Sequence, residues 1–245
     1  MSGKSRCSVA RWASPRNGEP SGENDCHSKR AGARAPTRSV GRPPISALYG
    51  LEDEPARTRD FAMHQTLHLT LAEMEAQLDH ICQSPTSEGV LEMIVCRPGE
   101  NERQMLFEAE LDVERGLVGD SWLSRGNYRG GPANPECQVN IMNSRVAALV
   151  AQDRERWQLA GDQLYIDLDL SDENLPPGSQ IAIGTAILQV TAEPHTGCTK
   201  FASRYGTDAT KFVNSAEGKR LHLRGINAKI IQSGLIRTGD TVTKL

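Results

Sequence analysis

The sequence predicts a mainly β fold of the α+β type, a barrel or sandwich of short strands with a few flanking helices and a disordered N-terminal tail. Three observations carry this reading. Short segments of alternating apolar and polar residues recur from residue 88 onward, glycine-marked turns separate them, and few stretches show helical spacing. The βαβ alternation of a nucleotide-binding fold is missing, and neither a Gly-rich phosphate loop nor HExxH occurs.

Taken in order, the elements begin with a helix in "TLAEMEAQLDHICQSP". Thr70 and Glu73 stand at capping-box spacing, Leu71, Met74, Leu78 and Ile81 recur on one face, and Pro85 ends the run. Alternation then predicts strands in "VLEMIVCR", in "RQMLFEAEL" with Met105, Phe107, Ala109 and Leu111 on one face, and in "CQVNIM". A second helix is predicted in "SRVAALVAQDRERW", with Val146, Leu149 and Val150 as its apolar side. Further strands follow in "DQLYIDLDL", "TAILQVTAEP", "NAKIIQ" and "DTVTKL".

Residues 1–62 read differently. They are rich in Arg, Ser, Gly and Pro, lack periodicity, and hold too few apolar residues to offset the entropy of ordering. Their 11 Lys and Arg against 7 Asp and Glu give +4. The acids Glu19, Glu23 and Asp25 argue against a transit peptide, and the scarcity of aromatics argues against a nucleic-acid-binding arm. The chain is thus divided into a disordered extension (1–62), an amphipathic helix with its lead-in (63–87) and one β-rich domain (88–245). No run of about 18 apolar residues occurs and no secretory signal is visible, so a cytoplasmic protein without a membrane contact is expected. In that compartment the six cysteines are reduced thiols rather than a disulfide scaffold.

Charge singles out one segment. Residues 63–245 hold 17 basic and 24 acidic side chains, net −7, yet residues 200–224 hold six basic side chains against Asp208 and Glu217. A local basic segment beginning two residues after Cys198 suits a small anionic ligand held near a thiol. Lys211 and Lys219 read as a solvated helix face. Arg204 and Arg224 are the better ligand candidates, since Gly206 and Gly225 beside them allow close backbone approach. Nearby cations favour a thiolate, and His195, three residues earlier, is placed to move a proton. Cys82 in its helix and Cys96 in its strand read as ordinary buried cysteines, Cys7 and Cys26 lie in the tail, and Cys137 has no close basic neighbour beyond Arg129.

These residues also carry a family resemblance. "GDQLYIDLDLSDENLPPGSQIAIGTAILQVTAEPHTGCTKFASRYG", then "RLHLRGINAKIIQSGLIRTGD", together with the upstream "RGLVGDSW" that supplies Gly116, Gly119 and Asp120, resemble the MOSC domain, named for the C-terminal domain of molybdenum cofactor sulfurase. The resemblance spans roughly residues 88 to 245 and implies a β-barrel. It implies that Cys198 carries sulfane sulfur or ligates molybdenum, with His195 and Lys200 assisting. It further implies a molybdenum cofactor held by Arg204, Arg224, Asp120, Lys200 and Gly206. No desulfurase domain accompanies it, so pyridoxal phosphate is expected on a partner cysteine desulfurase. The alternative of a molybdenum-dependent reductase of N-hydroxylated compounds requires an external electron-donor protein, and a further alternative is a binding module without turnover.

If residues 1–62 are dispensable, a chain starting at Met63 should keep the melting temperature of the full chain. Differential scanning calorimetry checks this, and a drop of many degrees would show that the extension is part of the fold.

Overall fold

The computed structural model describes residues 68–127 and 130–245; the predicted tail lies outside the described residues. In chain order the strands are β1 (Glu88–Cys96), β2 (Gln104–Leu106), β3 (Glu108–Asp112), β4 (Gly116–Leu117), β5 (Val139–Asn143), β6 (Leu164–Asp167), β7 (Gln180–Ile183), β8 (Ala186–Val190), β9 (Ile226–Gln232), β10 (Gly234–Arg237) and β11 (Thr241–Lys244). The helices are α1 (Leu71–Glu75), α2 (Leu78–Cys82), α3 (Trp122–Arg125), α4 (Ser144–Ala151), α5 (Thr199–Tyr205), α6 (Thr207–Asn214) and α7 (Ala216–Arg220). None is long and apolar enough to cross a membrane.

Seven strands close into a barrel in the order β1-β11-β7-β8-β9-β5-β6 and back to β1. Only β5 and β6 run parallel; the other neighbours are antiparallel. Strand β2 extends the sheet beyond β1, and β10-β3-β4 form a second, small sheet. Closure removes the free edges that an open sheet of this size would leave. The predicted barrel class therefore holds.

The barrel has two apolar layers. Its interior is filled by side chains such as Leu91, Ile94, Ile141, Leu164, Ile166 and Leu188. A second cluster, with Met93, Val95, Met142 and Tyr165 from the outer face, lies under the helices and takes in Phe201, Tyr205 and Phe212. Strand β1 serves both layers. A register shift between Leu91 and Met93 lets Leu91 and Ile94, three residues apart, both face inward, which strict alternation forbids.

Several sequence expectations are corrected. The first helix is two, because Gln77 N–H bonds to Met74 O at 3.0 Å and tightens the turn between them. This lets α1 pack on α6 while α2 packs on α4. The Thr70–Glu73 capping box is present as read. The second helix stops at Ala151, since Gln152 takes φ +62°, and a 3₁₀ segment continues over Arg154–Ala160. The segment "RQMLFEAEL" breaks at Phe107: β2 pairs with β1 and β3 with β10, leaving Met105 and Phe107 exposed while Ala109 and Leu111 are buried. Cys82 is exposed, because Ile81 takes the inward position of α2. Cys96 is buried as read.

Strand β1 passes so close to β6 that a Cβ on Gly89 would sit 2.0 Å from the Asp167 carbonyl oxygen. Backbone cannot yield as a flexible side chain does. Gly89→Ala should therefore cost about 2 kcal/mol or more, read as a lower urea midpoint at unchanged m. An unchanged midpoint would contradict this strand spacing.

Candidate functional site

The segment 191–198 leaves β8 and delivers Cys198 to the N-cap position of α5. It has little regular structure of its own, so its shape comes from outside bonds. Asn227 Nδ2 donates to the carbonyls of Glu193 at 3.1 Å and Pro194 at 3.4 Å, and Thr191 Oγ1 donates to Glu136 O at 2.6 Å. Gly197 exchanges two bonds with the Asn214 side chain, its N–H giving to Oδ1 at 2.9 Å and its carbonyl receiving from Nδ2 at 3.0 Å. Backbone on the approach to the cysteine is thus pinned. The Cys198 side chain itself is exposed and makes no hydrogen bond among the described residues.

The fourth anchor is ionic and buried. Asp162, immediately before β6, accepts from Arg224 Nη1 at 2.9 and 2.7 Å and lies 2.8 Å from His195 Nε2. Burial opposes ionisation of Asp162, but the Arg224 and His195 neighbours and their hydrogen bonds outweigh it and hold the carboxyl at about 2. For His195, burial first and the Arg224 cation second push the imidazole below its ordinary value, against the pull of Asp162. An ionised carboxylate only accepts, so Nε2 carries the hydrogen and Nδ1 is left as a bare acceptor. Arg224 also donates through Nη2 to Ala160 O at 2.9 Å and lies over the Phe201 ring at 5.0 Å.

Arg224 is therefore not the open anion clamp that its sequence setting suggested. Its fork is spent inside the protein, and Gly225 beside it, at φ +106°, allows the approach of Ile141 O, which a Cβ would meet at 2.2 Å. Asp120 is likewise committed: fully buried, it accepts from Arg97 N, Nε and Nη2 and from Trp122 N. Gly206, at φ +89°, joins α5 to α6 against His68. Lys200 is exposed and reaches Glu100 at 3.5 Å, a solvated pair worth little. Lys211 pairs with Asp208 on the surface, as read.

What the sequence did not show is a cluster of cations around Gly161. A Cβ there would lie 3.7 Å from Arg103 Nη2 and 3.9 Å from Arg204 Nη1, so both guanidiniums converge on a residue that leaves them room. Arg97 joins them through its bond to Gly161 O at 2.7 Å. Arg204 Nη1 donates to Leu159 O at 2.6 Å, while Arg103 Nε is buried without a partner among the described residues. Burial, then the Arg204 and Arg97 charges, lowers the Arg103 pKa. Like charges held together in this way favour an anion. Arg103 lies about a hundred residues from Arg204, and no local pattern joins them.

On the other side of His195 a cavity of about 480 Å³ opens between residues 190–196 and the turn from α7 into β9. Lys219 and His222 line it, so Lys219 is not only the solvated residue its helix pattern suggested. His222, at φ +49°, pairs with Asp172 at 2.8 Å.

Residues 125–243 match the family model of the MOSC domain. No curated protein matches the chain. Among solved structures it is similar to the YuaD protein from Bacillus subtilis, at 15% identity over 63% of this chain and 94% of that one, with a TM-score of 0.48. YiiM from Escherichia coli matches at 17% identity over 64% and 69%, TM-score 0.43, and YiiM from Geobacillus stearothermophilus at 16% over 65% and 73%, TM-score 0.40.

The buried ion pair makes the fold acid-sensitive. His195 and Asp162 both titrate below their ordinary values, so each contributes fully above its unfolded value and loses that contribution as pH falls through the folded one. Stability should begin to fall below about pH 6.5, as the unfolded imidazole takes up a proton, and again below about pH 4 as the Asp162 contribution goes. Arg224→Ala, which strands the carboxylate, should cost about 3–5 kcal/mol. Urea unfolding across pH checks both; a variant as stable as the parent would refute the ionic anchor.

Proposed function

Residues 125–243 are a MOSC domain, a domain associated with the molybdenum cofactor, and from this premise we propose that the chain binds that cofactor with Cys198 as the protein ligand to the metal. The observation that supports this is the pairing of two features on α5. An exposed, unbonded thiol on an anchored loop stands at its start, and Arg204, converging with Arg103, stands near its end.

The donor set fits such a group. Among the described residues no three His, Cys, Asp or Glu side chains converge to hold a bare ion. A metal that arrives with its own pterin ligands needs only one further thiolate, a soft ligand suited to it. Arg103 and Arg204 would take the anionic end; Arg103 Nε, buried and without a partner among the described residues, is an unused donor for it. When bound, the cofactor supplies a redox-active centre. The chain's own residues orient it: Asn214 and Asn227 fix the loop that carries the thiol, and the Asp162 bond holds His195 with Nδ1 free to take a proton. Turnover in this reading needs an external electron donor, and N-hydroxylated compounds are the substrate class the family resemblance implies.

A second reading, sulfur carriage, is favoured by the exposure of Cys198, which leaves the thiol open to a pyridoxal-phosphate-dependent desulfurase partner. In either reading Cys198 is the working thiol. Cys96 is buried, and burial foremost raises the pKa of the Cys137 and Cys96 thiols, reinforced for Cys137 by Glu193 and Glu136.

Protein purified from a cofactor-competent host should carry molybdenum and pterin together. Cys198→Ser should lose at least about tenfold of the metal, and Arg103→Ala and Arg204→Ala should weaken pterin retention, with unchanged circular dichroism. Cys82→Ser and Cys137→Ser should keep the load. Full loading of Cys198→Ser would end both readings, whereas labile sulfur on Cys198 without pterin would favour the carrier.

A further inference from the structure

The cavity beside His195 lies apart from the arginine cluster, and its polar inventory is nearly closed. Thr191 Oγ1 is spent on Glu136 O, and the Asn227 amide is spent on Glu193 O, Pro194 O and Asn140. Val190, Val213, Ile226, Pro177 and Pro194 supply apolar wall. Asp172 bonds His222 at 2.8 Å, and Glu193, Thr196 and Lys219 are exposed. Two imidazoles, His195 and His222, each keep one nitrogen over, and His195 is the less exposed of the two. His195 Nδ1 has no partner among the described residues, and the Asp162 bond on Nε2 prevents the ring from presenting a hydrogen there.

We propose that this cavity binds a small uncharged molecule with an apolar body and one O–H or N–H group, which donates to Nδ1 of His195. The acceptor is fixed in advance, because the ring is 16% exposed and its tautomer is set by a carboxylate that Arg224 keeps ionised. A ligand lacking the donor leaves that nitrogen dry and unpaired, which is where discrimination comes from. His222 is turned by Asp172 in the same sense, but its side chain is more exposed at 27%, so water satisfies its free nitrogen more readily. Thr196 on the cavity lining is two residues from Cys198, so an occupant lies beside the working thiol along the chain. The site does not depend on what that thiol carries.

The probe pair is p-cresol and its O-methyl ether, which share an apolar body and differ by one donor. Titration calorimetry at about pH 8, where the imidazole is neutral, should show p-cresol binding about tenfold tighter. His195→Leu, which has no acceptor and leaves Asp162 its Arg224 partner, should bring the two affinities together; His222→Gln should keep them apart. As pH falls below the ordinary imidazole range the preference should shrink once Nδ1 gains a proton, with Asp162, Arg224, Arg97, Glu193, Lys219, Asp172 and His222 as the charged or titratable neighbours. Equal affinity for the two probes in the parent protein, no binding of either, or a preference that survives His195→Leu would overturn the proposal. Nitrogen-15 shifts of the His195 ring in the parent protein give a check that needs no variant: a hydrogen on Nδ1 would overturn it as well.

Discussion

The carboxylate of Asp162 is the point on which the functional end of this barrel depends. It sits where the chain enters β6, it receives Arg224 from the approach to β9, and it holds His195 from the loop after β8. Three segments distant in sequence are thus tied by one side chain. Burying a carboxylate and a guanidinium is costly, and a pair of this kind recovers the cost only when its remaining donors and acceptors are satisfied. Here Nη2 of Arg224 finds Ala160 O and the ring of Phe201 offers a favourable face, although Nε has no partner among the described residues.

That one interaction separates two environments of opposite character. Next to Asp162, Gly161 gives room to Arg103 and Arg204, and among the described residues no carboxylate forms an ion pair with either. Beyond His195, the cavity has a mostly apolar lining, and the side chains of its buried Thr191 and Asn227 are committed to bonds within the protein. The loop's position is inherited from side chains of β9 and α6 rather than from its own sequence, which has neither helix nor strand propensity to fix it.

Much of the architecture was legible because periodicity reports burial directly. Leu164, Ile166 and Leu168 alternate and are all buried, and the Thr70–Glu73 box marks the first helix start correctly. Periodicity failed where a segment changes partners: Phe107 continues the alternation yet lies at the break between β2 and β3, and Leu78 continues a helical face across the turn that divides α1 from α2. Cys82 was misread for the same reason, since a helix of one and a half turns has room for few inward residues and Ile81 takes that place.

By itself the sequence determined the class of fold, the strand-rich order and the position of Cys198, because each of these is written in neighbouring residues: alternation, glycine turns, and a cysteine followed by Lys200 and Arg204. It also placed a basic segment in an otherwise acidic chain. Only the tertiary structure decided which of those charges face outward. Arg224 and Asp120 look like ligands in one dimension and are found paired inside the protein, while Arg103, unremarked in sequence, converges on Arg204. The physical reason is that a charge is available to a ligand only if folding brings no opposite charge to it. That depends on contacts across the barrel, between residues sixty or a hundred positions apart, which no local spacing encodes.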